Sequence, residues 1–113
     1  MSKRIRTEAC AAVADAFLPV EQMAQVVAAD AAKCIAVIIE QRMRAQLPAD
    51  MVAEALTLVT DAVHHQVAAA NAFAGAHRKL AEIRDRLGVD LTAYGPDCSE
   101  VNGVKLTVVT AAA

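Results

Sequence analysis

Residues 49–87 read ADMVAEALTLVTDAVHHQVAAANAFAGAHRKLAEIRDRL, with no proline and one glycine, Gly75. Within them Val52, Leu56, Val59, Val63, Gln66, Ala70, Phe73, His77, Leu80, Arg84 and Leu87 alternate at spacings of four and three. That is the period of a helix whose seam faces another helix. It predicts one long helix over about 49–87, spanning about 60 Å at 1.5 Å per residue. A chain of 113 residues has little with which to cover so long a helix. The pattern therefore predicts a mainly α protein, an antiparallel helical hairpin or bundle that associates with a second copy. Val52, Leu56, Val59 and Val63 form the firmly apolar half and are the expected dimer seam. Gln66, His77 and Arg84 are polar breaks of the kind that fix register at some cost in stability.

Composition points the same way. The apolar fraction is 57% but aromatics are 3%, so alanine and valine carry much of it. Alanine favours helix yet gives little burial per residue. Mean hydropathy is +0.36, which suggests apolar surface that a partner covers. The net charge of −2 argues against nucleic acid as the partner. Cys10, Cys34 and Cys98 are odd in number and show no zinc-type spacing, which fits a reducing, cytoplasmic setting. Lys3, Arg4 and Arg6 ahead of Ala- and Val-rich sequence faintly resemble a signal peptide, but Glu8 and Asp15 interrupt the apolar stretch. The densest apolar run, Cys34–Ile39, is six residues, so no membrane span is expected.

Before residue 49 the expected order is a short N-terminal helix from a Thr7 cap to Pro19, then a second helix from Pro19 to about Leu47. The second start, Leu18-Pro19-Val20-Glu21, is echoed by Leu47-Pro48-Ala49-Asp50, reading as the same capping chemistry used twice. Val20, Met23, Val27, Ala31, Cys34, Ile38 and Ala45 make its apolar face. Gly75 predicts either a close helix crossing or a bend, and Gly88 ends the long helix as a C-cap glycine. Helical residues 1–88 are then followed by a tail, 89–113. There Asn102-Gly103 between β-compatible arms predicts a small β-hairpin.

Chemistry is sparse. His64 and His65 are adjacent and so point about 100° apart on a helix, which leaves Asp61–His65 as a lone, incomplete pair for a metal. His77 lies on the seam, where a hydrogen-bonding role competes with a ligand role. There is no GxGxxG, phosphate loop, GxSxG or cysteine–histidine nucleophile pattern. The expectation is a non-enzymatic protein without cofactor or metal. It would dimerise and act by binding another protein, as a small adaptor or an inhibitor of bacterial or phage origin directed at a host protein. Its partner surface would include Phe73, His77, Arg78, Arg84, Val104, Leu106 and Val108. The alternative is a DNA-binding regulator whose two short helices form a helix-turn-helix-like unit above a dimerising third.

Overall fold

The computed structural model describes residues 2–89, which form two helices and, among the described residues, no strand. Helix α1 runs Lys3–Arg44 and helix α2 runs Asp50–Arg86. The expected β-hairpin, with Val104, Leu106 and Val108, lies outside the described residues.

Helix α1 starts at Ser2, whose hydroxyl accepts from the Ile5 amide at 3.2 Å, a standard N-cap bond. The expected cap, Thr7, is inside the helix and donates to the Lys3 carbonyl at 2.9 Å.

The break expected at Pro19 is absent, so the short N-terminal helix and its successor are one 42-residue helix. Proline removes one backbone bond and crowds the carbonyl four residues back, at about 3 kcal/mol. Packing on the preceding turn opposes that cost. Leu18 packs against a cluster of Cys10, Ala14 and Val89, and Phe17 meets the His77 ring. Both contacts need residues 17 and 18 in helical geometry.

Leu47-Pro48 is a true boundary. Gln46 adopts φ 55°; its amide bonds to the Met43 carbonyl at 3.1 Å, and the Leu47 amide to the Arg42 carbonyl at 3.1 Å. These are the two bonds of a Schellman closure. The Arg42 guanidinium also donates to the Leu47 carbonyl at 3.2 Å. Helix α2 closes the same way, with Gly88 at φ 69°, Gly88 N to Asp85 O at 3.1 Å and Val89 N to Arg84 O at 3.3 Å.

The chain forms two compact units, divided at Pro19/Val20 in α1 and at Ala74/Gly75 in α2. In the first, residues 2–19 and 75–89 surround Cys10, Ala14 and Val89, which are the buried apolar residues, with Leu18 and Leu80 packed against them. Arg84 is buried there too, its Nε and Nη2 each 3.2 Å from Asp85 Oδ1.

The second unit, residues 20–74, is an antiparallel helical hairpin closed by the turn at 45–49. Its α1 segment half-buries Glu21, Ala24, Ala28, Ala31, Ile35, Ile38 and Arg42, again at alternating spacings of three and four. Its α2 segment half-buries Val52, Leu56, Val59, Val63, Gln66, Ala70 and Phe73. No large side chain among the described residues is fully buried. Full burial of a Leu-sized side chain is worth about 1.5–3 kcal/mol, so the seam within one chain yields only part of what these residues are able to give.

Candidate functional site

The functional candidate is an apolar face on residues 20–74. With the α1 seam set as a and d of a heptad, Val20, Met23, Val27, Asp30, Cys34 and Val37 occupy successive g and c positions. All six are exposed. They form a second stripe about 100° round the helix from the first. On α2 the g and c positions hold Met51, Ala55, Leu58, Ala62, His65, Ala69 and Ala72, all exposed except Ala69, which is half-buried. In an antiparallel pair g positions flank g positions, so both stripes lie on the same side of the hairpin.

The exposure is large. Val20 is 49% exposed, Met23 64%, Val37 52%, Met51 64% and Leu58 64%. Eleven of the fifteen large apolar side chains counted as exposed belong to this unit; the others are Val26, Val27, Ile39, Met43, Leu47 and Val67. Charge is thin here: between Glu21 and Glu40 only Asp30 and Lys33 are charged. They pair with each other at 3.7 Å on an exposed surface, where such pairs are worth about 0–1 kcal/mol.

No family model, curated protein or solved structure matches this chain.

The expected seam residues Val52, Leu56, Val59 and Val63 are brought together as one row, each half-buried within the single chain. Of the expected partner surface, Phe73 and His77 are half-buried and Arg84 is buried; all three sit at positions the chain itself covers. Arg78 is exposed. Phe17 and His77 stand edge to face. His64 and His65 are exposed, and no group of three or more metal-ligating side chains occurs among the described residues. Gly75 marks no close crossing, since a Cβ there would meet only the Arg78 guanidinium, at 3.9 Å.

The face expected on the second helix is partly displaced. Ala31 and Ile38 turn toward the seam, whereas Val20, Met23, Val27 and Cys34 are exposed. The two sets are two separate stripes of the helix.

The expectation of no membrane span is overturned. By length and composition α1 is able to cross a membrane, with an 18-residue window of mean hydropathy 1.5. That expectation rested on uninterrupted apolar runs, whereas charged residues do occur within membrane-spanning helices. This is weak support for a membrane protein, since core helices of soluble proteins and signal sequences meet the same criterion. No partner is identified by any described residue.

Proposed function

We propose that this chain is a non-enzymatic helical protein that associates with its own kind and acts by binding another protein. One observation carries the reading: residues 20–74 bury their heptad seams only halfway while exposing eleven large apolar side chains. Six of them, Val20, Met23, Val27, Val37, Met51 and Leu58, share the g/c face, and an apolar face left exposed in this way marks an interaction site. A bundle of two hairpins would finish burying Val52, Leu56, Val59 and Val63, keeping them in the dimer core.

A bilayer is the competing cover for the same surface, since α1 is long and apolar enough to cross one. Asp30 and Lys33 fall in the middle of the apolar stretch, where a charge costs about 2.5–3.5 kcal/mol on insertion scales. The partnering helix α2 brings Glu54, Asp61 and two histidines. The DNA-binding alternative loses its premise, because the two short helices of its helix-turn-helix unit are a single helix.

Sedimentation equilibrium of the whole chain tests the reading. A mass of twice 11.9 kDa or more is expected. A monomer across the micromolar range removes self-association.

A further inference from the structure

We infer that the g/c face of residues 20–74 is the seat of a second copy of this chain, with α1 of each copy lying against α2 of the other and both turns at the same end. The inference rests on the self-association proposed above and names its surface and arrangement.

The size of the face fits. From Val20 to Arg44 it is about 36 Å long at 1.5 Å per residue, and two helices make it about 20 Å wide. Its footprint is on the order of 700 Å², close to the roughly 800 Å² that each partner gives to a standard specific interface.

The pattern fits a twofold axis parallel to the helices. The turn at 45–49 sets levels within the unit: Asp30 lies fourteen residues before Arg44, and His65 fifteen after Asp50. They are therefore level, on opposite edges of the face. Val37 is level with Leu58, and Met23 with Ala72, by the same counting. The axis carries each α1 edge onto the α2 edge of the second copy at the same height. Asp30 then meets the imidazole of His65, Val37 meets Leu58, and the large Met23 meets the small Ala72. Hydrogen-bonding capacity, apolar contact and size are all complementary. A twofold axis across the helices would set α1 on α1 and, with the face centred, bring the two copies of Asp30 within about one helical turn of each other, a like-charge approach. The middle of the face, Val27, Cys34, Ala55, Ala62 and Ala69, is small enough for close approach of helices.

Disulfide trapping between two differently labelled full-length chains tests the arrangement. One chain carries Val37→Cys and the other Leu58→Cys, both in a Cys34→Ser, Cys98→Ser background. Oxidation of the mixture should give predominantly the mixed dimer, Cys at 37 to Cys at 58. Dimers linked 37–37 or 58–58 in a protein that sediments as a dimer would overturn the arrangement and leave self-association standing. A monomer by sedimentation would overturn both. A monomer that floats with phosphatidylcholine–phosphatidylglycerol vesicles would assign the face to lipid instead. As a second measurement, Leu58→Glu should raise the dimer dissociation constant at least about a hundredfold, since it buries an unpaired charge. Val26→Glu, on the outer side of α1, should change it by less than about threefold. Helicity by circular dichroism identifies any variant that fails to fold. Equal effects of the two substitutions would overturn the inference.

Discussion

Phe17 and His77 meet edge to face across the first compact unit, ring centroids 6.1 Å apart and planes at 87°. The pair sits two residues before Pro19 and two after Gly75. It therefore holds both helices together beside their weakest backbone positions. Aromatic pairs in this geometry contribute about 0.5–1.5 kcal/mol beyond area burial. A double-mutant cycle of Phe17→Leu and His77→Ala, followed by urea unfolding, should return a coupling energy in that range. Additive effects would show that the rings do not interact.

Pro19→Ala should stabilise the protein by about 2–3 kcal/mol, because alanine restores the amide bond to the Asp15 carbonyl and relieves the ring clash. Thermal or urea unfolding reads this directly. A neutral or destabilising outcome would mean that α1 breaks at Pro19 after all.

The two described glycines should respond in opposite directions. At Gly75 an added Cβ meets only the flexible end of Arg78 at 3.9 Å, so Gly75→Ala should stabilise α2 by about 1 kcal/mol. At Gly88 the backbone is left-handed, φ 69°, so Gly88→Ala should destabilise by about 1 kcal/mol. Parallel unfolding curves of the two variants check both signs.

Gln46 holds a left-handed conformation without being glycine, φ 55°. Gln46→Gly should therefore stabilise the turn by about 1 kcal/mol. Unchanged unfolding would show that other contacts of the turn compensate for the strain.

The α2 seam is legible from Val52 to Arg84, where every named position is half-buried or buried, and ends before Leu87, which is exposed. Its large residues announce themselves against a polar background. The α1 seam is just as regular, Cys10, Ala14, Phe17, Glu21, Ala24, Ala28, Ala31, Ile35, Ile38 and Arg42, and it passes through Pro19 in register. Four of its ten positions are alanine, and alanine also fills the outer faces, so the eye follows the valines and methionines instead. Those mark the second stripe. Proline chemistry does not decide the matter: the same Leu-Pro dipeptide precedes a helix start at Pro48 and is carried within a helix at Pro19. The difference lies in Gln46, whose left-handed backbone no sequence rule foretells.

The division at Pro19 and Gly75 also sets an order of assembly. Residues 20–74 fold back across a five-residue turn, so their contacts begin local and zip outward. The cluster of Cys10, Ala14 and Val89 joins segments that stand far apart along the chain, and forming it first would mean closing a loop of about two thirds of the 113 residues. The hairpin built on the turn at 45–49 is therefore expected to form first, and the cluster of Cys10, Ala14 and Val89 last. Amide hydrogens of residues 3–19 and 75–86 should accordingly exchange through smaller openings than those near the turn.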